Sequence, residues 1–245
     1  MDNVERLREI VNNDSAKIVF FGGAGVSTES GIPDFRSKDG LYNQKYKYAP
    51  EYMLSRSCLY NNPKDFYAFY KDKMDCRSYE PNIVHKKLAE LEAAGKVLGI
   101  VTQNIDGLHQ KAGSKNVIEI HGTTKKNYCT KCGQEYDENY IFDFNGVIPR
   151  CTNEKCKQVG MIRPDVVLYD EQVKHWRDAC NLIGKANVLI IGGTSLTVQP
   201  ACNLIYEFHG EHIIVINKGE ITLPMLNADS DFVIDDYLGN VFSKL

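Results

Sequence analysis

The chain has 245 residues, and its 29 lysines and arginines nearly balance 32 aspartates and glutamates, giving a formal net charge of -3. This balance argues against a nucleic-acid-binding protein that works through bulk positive charge. Hydrophobic residues make up 43% of the chain, but its apolar runs fall far short of the roughly 20 residues that cross a bilayer.

Residues 1–17 carry charges throughout, which argues against a secretory signal peptide. We therefore expect a cytoplasmic protein that binds neither a membrane nor nucleic acid directly. In that reducing compartment, the eight cysteines favour metal binding or catalysis over disulfide bonds.

Six short apolar runs recur along the chain, and each ends at glycine or polar turn residues. Their composition is typical of parallel strands that are buried on both faces. The runs are Lys17–Phe21, Val97–Val101, Val117–Ile120, Val188–Ile191, His212–Ile216 and Phe232–Ile234. Helical patterns precede or separate them, at Val4–Val11, Ile83–Ala94, Val173–Ile183 and Cys202–His209.

This alternation predicts an α/β fold with an open, doubly wound parallel sheet of the Rossmann-like kind. Ligands of such sheets bind in the crevice beyond the carboxyl ends of the strands. Two segments interrupt the pattern: residues 36–80 are rich in aromatics with one helical stretch, Pro63–Lys73, and residues 123–165 hold four cysteines. We expect a single domain, residues 1–245. Its sheet part then comprises residues 1–35, 81–122 and 166–245.

The four cysteines form two pairs. Cys129 and Cys132 make C-x2-C, and Cys151 and Cys156 make C-x4-C. Such pairs suit a tetrahedral zinc ion held by four thiolates, with two disulfides or free thiols as the alternative. The segment between them has too few apolar residues to fold alone, so the metal would stabilise it. Four cysteine ligands leave no open coordination position, which predicts a structural zinc.

The first strand runs into a glycine turn, Gly22–Thr28. Glycines at such a turn let backbone amides approach a phosphate, although a tight turn without a ligand is the alternative. Gly23 and Gly25 fit the first two positions of the dinucleotide fingerprint G-x-G-x-x-G, but Thr28 stands at the third. This departure weakens the interpretation as a dehydrogenase. The Walker pattern is also missing, so phosphoryl transfer from ATP is not supported.

Taken in order along the chain, several strings resemble the sirtuin family. They are G-A-G-V-S at Gly23–Ser27, G-I-P-D-F-R at Gly31–Arg36, T-Q-N-I-D at Thr102–Asp106, H-G at His121–Gly122, the two cysteine pairs, G-T-S-L at Gly193–Leu196 and the strand end at Asn217. Each string alone is weak evidence, but the ordered set covers nearly the whole chain. The resemblance, to the short bacterial class, implies an NAD-dependent protein-lysine deacylase with one catalytic domain.

The resemblance also implies how NAD is bound across the strand ends. Ala24, Thr28 and Arg36 would lie near the phosphates and ribose, Thr194 and Ser195 at phosphate or ribose oxygens, and Asn217 at the adenosine ribose. At the nicotinamide end, Gln103 would bind the ribose, Ile105 and Asp106 would bind the carboxamide, and Phe35 would cover the reacting carbon. An aspartate can accept a hydrogen bond from the carboxamide NH2 group.

In the family reaction, NAD is a co-substrate that is consumed. The acyl-lysine amide oxygen attacks the ribose C1′ as nicotinamide leaves, which gives an O-alkylamidate. A general base then activates a ribose hydroxyl, and water completes the release of free lysine and O-acyl-ADP-ribose. The resemblance makes His121 that base, in contact with the NAD ribose, and a neutral histidine suits the task because its pKa lies near the operating pH. Asn104 would orient ribose hydroxyls or a water.

The segment Val166–Glu171 resembles the one that pairs with the backbone of an acyl-lysine protein or peptide by strand addition. The implied substrate contacts are Val166, Val167, Tyr169, Asp170 and Glu171. The family usually has glycine in place of Asp170, but an aspartate can adopt a left-handed conformation at some cost. This departure bears on peptide affinity more than on catalysis.

The acyl preference is indicated by Tyr70 and Lys73. Some relatives that remove acidic acyl groups have a tyrosine and an arginine at the corresponding spacing. Because lysine lacks the planar fork that binds a carboxylate through two hydrogen bonds, we expect deacetylation with weak desuccinylation.

Two other functions compete with the deacylase. The same NAD site suits a protein mono-ADP-ribosyltransferase, and a zinc-stabilised interaction module would bind the nucleotide without catalysis. The presence of His121 favours the deacylase. Of the other histidines, His85 and His109 are expected in packing, and His175, His209 and His212 at the surface. The sequence is compatible with a monomer.

Overall fold

Two β-sheets with helices around them organise the chain. The structure is a computed structural model, and it describes residues 2–35, 40, 46–156, 159–219, 221, 223, 225–227 and 229–245. Among these residues, no helix has both the length and the apolar character needed to cross a membrane.

The larger sheet is parallel, and its six strands lie where the sequence predicts them. Where the structure describes the chain, the two sheets contain nine strands. In chain order they are β1 Ile18–Gly22, β2 Val97–Thr102, β3 Val117–Glu119, β4 Gly122–Cys129, β5 Glu135–Asp137, β6 Ile162–Val166, β7 Val188–Gly192, β8 His212–Ile216 and β9 Phe232–Ile234. The strand order β3-β2-β1-β7-β8-β9 places β1 and β7 at the centre. The register aligns Gly22 with both Thr102 and Gly192, so the carboxyl ends meet at one edge. The predicted doubly wound α/β fold is confirmed.

Nine α-helices occur within the described part of the chain. They are α1 Asn3–Asn12, α2 Pro50–Met53, α3 Arg56–Asn61, α4 Pro63–Lys73, α5 Ile83–Ala93, α6 Leu108–Ala112, α7 Glu138–Phe142, α8 Trp176–Ile183 and α9 Leu238–Phe242. Helices α1, α5 and α9 cover one face of the large sheet, through residues such as Leu7, Leu88 and Phe242. Helix α8 and a 3-10 helix, Ala201–Glu207, cover the other face.

Two predicted helices differ in detail from the structure. The predicted helix at Cys202–His209 is the 3-10 helix Ala201–Glu207. The helix predicted from Val173 begins only at Trp176. Its late start follows from the preceding residues, because the amide of Lys174 donates to the carbonyl of Ile120 and His175 has a left-handed φ of 54°.

The smaller sheet is antiparallel, with the order β5-β4-β6. Its core is continuous with that of the helical insertion: Tyr67 and Tyr70 of α4 belong to the same buried cluster as Cys129 and Ile162 of the small sheet. The hydroxyl of Tyr67 donates to the carbonyl of Ile162 at 2.5 Å. The two segments that interrupt the α/β pattern therefore fold against each other.

The chain crosses from the large sheet to the small one at Gly122. This residue has a φ of 76°, and a Cβ atom there would lie 2.0 Å from the carbonyl oxygen of Asp165. Only glycine fits such a left-handed, crowded position. This close approach packs Gly122, the first residue of β4, against β6. His121 lies between the end of β3 and Gly122, and it is therefore at the junction of the two sheets.

Candidate active site

Two glycine turns meet at the centre of the sheet's carboxyl edge. The amide of Gly25, after β1, donates to the carbonyl of Gly193, after β7, at 2.8 Å. A Cβ atom on Gly25 would lie 2.7 Å from the Cα atom of Gly193. Because no side chain separates the turns, their backbones pack directly against each other at the edge where a sheet of this kind binds its ligands.

The other residues predicted on the first turn lie around this edge. Ala24 is half-buried and Thr28 is exposed, and the Thr28 hydroxyl donates to the carbonyl of Gly25 at 3.0 Å. Phe35 is half-buried and packs against the core shared by the helical insertion and the small sheet. Arg36 lies outside the described residues.

A buried polar network follows β2. The Ser27 hydroxyl donates to Asp106 Oδ2 at 2.7 Å, and Asn104 Nδ2 donates to Ser27 Oγ at 3.1 Å. Asp106 Oδ1 accepts from the amide of Leu108 at 2.9 Å. Burial raises the pKa of the Asp106 carboxyl against the lowering effect of these hydrogen bonds. Asn104 and Asp106 are thus held together, with Ser27 as the link.

Polar groups from neighbouring strands converge beside this network. Gln103 Nε2 donates to the hydroxyl of Thr194 at 3.0 Å, which joins the ends of β2 and β7. Ser195 is exposed, with its Oγ 2.8 Å from Oγ1 of Thr197. Asn217 is half-buried at the end of β8, and its amide donates to the carbonyl of Ile234.

The carbonyl of Ile105 faces the small sheet. It accepts from the Thr124 amide at 3.0 Å and from the Thr124 hydroxyl at 3.1 Å. These bonds tie the loop after β2 to β4. The predicted cofactor residues within the described chain thus come from neighbouring strand ends, and they surround one edge.

His121 lies between the two sheets, with its Nδ1 atom 3.0 Å from the carbonyl oxygen of Gln103. A carbonyl only accepts, so Nδ1 carries the proton and Nε2 of the neutral ring keeps a free lone pair. Burial lowers the pKa of the His121 imidazole, against the raising effect of the hydrogen bond to Gln103. The ring is therefore neutral at pH 7 and can accept a proton at Nε2.

The four predicted zinc ligands converge at one end of the small sheet. All four Sγ atoms lie within 4.8 Å of one another, and the Cys129–Cys156 and Cys132–Cys151 separations are both 3.6 Å. A disulfide requires about 2.05 Å, so the disulfide alternative is wrong. Sulfurs bound tetrahedrally at about 2.3 Å from zinc are about 3.8 Å apart. The cluster fits this ion and leaves no position open for a substrate.

The predicted substrate segment runs beside His121. Val166 is buried in β6, and the amide of Val167 donates to the carbonyl of His121 at 2.7 Å. Tyr169 forms a parallel bridge with Ser55 of the helical insertion. Asp170 is exposed with a φ of 73°, a left-handed conformation that an aspartate can adopt at some cost.

Two functional candidates were not assigned from the sequence. Ser27 lies within a matching string, but only the fold shows that its hydroxyl joins Asn104 to Asp106. Arg163 is 8% exposed and binds the carboxylate of Glu171. A buried arginine implies a paired partner, but no local pattern marks this position as buried.

Comparison with known proteins identifies the family. The Sir2 family model matches residues 23–200. The chain belongs to the Sir2 family. A protein of Clostridium perfringens, described as an NAD-dependent protein deacetylase, is 49% identical over 249 residues, covering 100% of this chain and 98% of the relative. A protein of Clostridium tetani with the same description is 46% identical with the same coverage.

Solved structures of Sir2 proteins have the same fold. One contains a deacetylated p53 peptide and 3′-O-acetyl ADP ribose; it superposes with a TM-score of 0.85 at 32% identity, covering 99% of this chain and 97% of the other. Another, bound to a p53 peptide and NAD+, has a TM-score of 0.82 at 32% identity, with the same coverage.

Proposed function

We propose that the protein is an NAD-dependent protein-lysine deacylase, which releases nicotinamide, O-acyl-ADP-ribose and free lysine. The observation that carries this proposal is the geometry of His121 in a chain of the Sir2 family. Its Nδ1 atom is held by the Gln103 carbonyl, so Nε2 is left to take a proton from a ribose hydroxyl of NAD. A neutral histidine beside the cofactor crevice suits general-base catalysis.

The NAD contacts are proposed from position. The turn with Ala24 and Thr28 faces the phosphates, and Phe35 covers the reacting ribose carbon. Arg36 lies outside the described residues, and its contact with the phosphates and ribose is proposed from the family resemblance alone. The other contacts are Gln103 at the nicotinamide ribose, Ile105 and Asp106 at the carboxamide, Thr194 and Ser195 at phosphate or ribose oxygens, and Asn217 at the adenosine ribose. Asn104 orients ribose hydroxyls or a water, and the Ser27 bridge fixes its amide.

The acyl-lysine peptide is proposed to lie along Val166–Glu171, next to His121, with Val166, Val167, Tyr169 and Asp170 as its neighbours. The four cysteines would hold zinc, whose role is to stabilise the small sheet. Free cysteines, as in this chain, are usual in a reducing compartment, and a cytoplasmic location is part of the proposal.

One experiment separates this function from its alternatives. The protein is incubated with NAD and an acetyl-lysine peptide, and the products are identified by mass spectrometry. We expect nicotinamide, O-acetyl-ADP-ribose and free lysine in equal amounts. A protein carrying ADP-ribose instead of free lysine would indicate a transferase, and NAD binding without nicotinamide release would indicate an interaction module.

The His121→Ala variant tests the base. It should still bind NAD, measured by calorimetry, while deacylation falls by about 10²–10⁴-fold. His209→Ala is the matched control, because His209 is exposed and its substitution should leave the rate unchanged. Full activity of His121→Ala would refute the assignment.

The surroundings of Tyr70 and Lys73 favour acetyl over succinyl groups. Tyr70 is buried, with its ring stacked between Phe66 at 5.7 Å and Phe142 at 5.6 Å. Lys73 Nζ lies 3.0 Å from Asp72 Oδ2, so its charge is already paired. A succinyl carboxylate would have to displace Asp72. It would then bind a lysine ammonium group, which lacks the two parallel donors of an arginine.

We therefore expect faster turnover of acetyl-lysine than of succinyl-lysine peptides. Lys73→Arg should raise the succinyl rate, since arginine offers two parallel hydrogen bonds to a carboxylate. Lys64→Arg, on the same helix, serves as the control. Equal rates of the unmodified protein on the two peptides, measured by chromatography, would show that this preference is wrong.

A further inference from the structure

A buried ion pair joins β6 to the loop that follows it. Arg163 Nη1 donates to Glu171 Oε1 at 2.8 Å, and Nη2 donates to Glu171 Oε2 at 2.9 Å. The two side chains are 9% and 19% exposed. Such parallel hydrogen bonds fix orientation as well as distance, because both planar groups must align.

The same pair shapes the loop between its members. Arg163 Nη2 also donates to the carbonyl of Val166 at 3.0 Å, and the amide of Leu168 donates to Glu171 Oε2 at 3.0 Å. The amide of Glu171 closes the turn on the carbonyl of Leu168. The ion pair therefore holds the start, the middle and the end of the segment that runs beside His121.

Two further sets of backbone hydrogen bonds hold the loop, one to His121 and one to the helical insertion. The amide of Val167 donates to the carbonyl of His121 at 2.7 Å. The amide of Tyr169 donates to the carbonyl of Leu54, and the carbonyl of Tyr169 accepts from the amide of Arg56. A change in the shape of the turn would thus move the backbone that faces both the base and the insertion.

Arg163 itself is fixed by the small sheet. It lies opposite Tyr128 in the β4–β6 register, one step from the pair formed by Cys129 and Ile162. Its guanidinium carbon lies 5.6 Å from the centre of the Tyr128 ring. Positioning groups are most effective when a rigid element holds them, and β6 is such an element.

We propose that Arg163 and Glu171 are positioning residues for the acyl-lysine peptide. Their ion pair sets the conformation of the Val166–Glu171 segment and thereby its affinity for the peptide backbone, without touching NAD. Glu171, expected from the sequence to contact substrate, acts in this proposal through the turn that it holds. The inference rests on the proposed deacylase function.

Kinetics of the full-length, zinc-loaded protein test this role. Glu171→Gln keeps the size of the side chain but removes its charge, so the peptide KM should rise about 10-fold, the effect of losing one charge-assisted hydrogen bond. Arg163→Lys keeps the charge but loses the two-point geometry, and it should raise the peptide KM by a smaller factor. The NAD KM, and NAD binding without peptide by calorimetry, should stay unchanged in both variants.

Glu138→Gln is the matched control. Glu138, the first residue of α7, pairs with Lys125 of β4 at 2.8 Å. Its substitution removes an ion pair outside residues 163–171, so the peptide KM should stay unchanged. A peptide KM within about two-fold of the unmodified protein in both Arg163→Lys and Glu171→Gln would overturn the proposal. Equal rises in the NAD and peptide KM values would also overturn it. Absence of deacylation by the unmodified protein would instead refute the function on which it rests.

Discussion

The two nitrogens of the His121 ring have different environments, and this difference decides what the residue can do. Nδ1 is bound to a backbone carbonyl, which accepts only, and this contact fixes both the ring orientation and the tautomer. Because the partner belongs to the backbone of Gln103, substitution of the Gln103 side chain does not remove it. The sequence places His121 at a strand end, but it does not reveal this tautomer.

The lowered pKa of His121 predicts the acid side of the pH profile. Burial favours the neutral imidazole, so the pKa lies below the ordinary value of 6.5. The base form is therefore retained as the pH falls to 6.5, and activity declines only as the pH falls through the lowered pKa. We expect the acid limb of kcat, measured with saturating NAD and peptide, to have its midpoint below pH 6.5. A midpoint above pH 6.5 would contradict the assignment of His121 as the base. The residual activity of His121→Ala should show no decline over this acid range.

Gly25 gives a second prediction at the scale of one residue. A Cβ atom there would lie 2.7 Å from the Cα atom of Gly193, so Gly25→Ala should separate the two turns. Overpacking of this kind costs about 1–3 kcal/mol, which urea unfolding can measure, and NAD affinity should fall as well. Gly184→Ala is the control, because Gly184 ends α8 with an ordinary φ of -65°. Unchanged NAD affinity in Gly25→Ala would show that the turns do not need this contact.

At the scale of elements, the sequence predicts the large sheet better than the small one. The strands of the large sheet are continuous apolar runs because both faces are buried. Strand β4, Gly122–Cys129, contains threonines, lysines and an asparagine, and it has no such run. Its partners β5 and β6 lie on either side of the second cysteine pair, so the metal ligands and the insertion stabilise the sheet. Neither the metal ligands nor the packing against the insertion produces a periodic pattern in the local sequence.

Metal removal should affect more than the cysteine segment. The small sheet and helix α4 share one buried cluster, so loss of zinc should loosen α4 together with residues 123–165. Hydrogen exchange after chelation should show faster exchange in both regions and little change in β1, β2, β7 and β8. Cys132→Ser is a second route to the same state, and Cys180→Ser, outside the cluster, is its control. Unchanged exchange in the metal-free protein would refute the structural role of zinc.

For the whole molecule, strand order follows from general rules of α/β topology, but contacts between distant segments do not. His85 of α5 and His109 of α6 are expected in packing, and both are buried. The sequence does not show that their rings lie 4.7 Å apart, with His109 also facing Phe20 at 6.3 Å. Such a pair depends on how α5 and α6 pack against each other, which only the folded chain defines.

This histidine pair predicts how the stability of the molecule depends on pH. Burial lowers the pKa of His85 to about 4, and burial and His85 together lower the pKa of His109 well below 6.5. The folded state therefore holds both rings neutral, while the unfolded chain takes up protons near pH 6.5. The contribution of the two neutral rings to the free energy of unfolding is fully present above pH 6.5. It is lost as the pH falls toward 4, by up to about 1.4 kcal/mol per pH unit for each ring.

Urea unfolding between pH 7 and pH 5 measures this loss. His109→Phe removes one of the two rings, and it should reduce the average slope of unfolding free energy against pH over this range by about 1 kcal/mol per pH unit. His175→Gln, at an exposed position, should leave the slope unchanged. If His109→Phe has the same slope as the unmodified protein, the acid sensitivity arises elsewhere. A reduced slope would show that the buried, neutral His109 ring contributes to the loss of stability at acid pH.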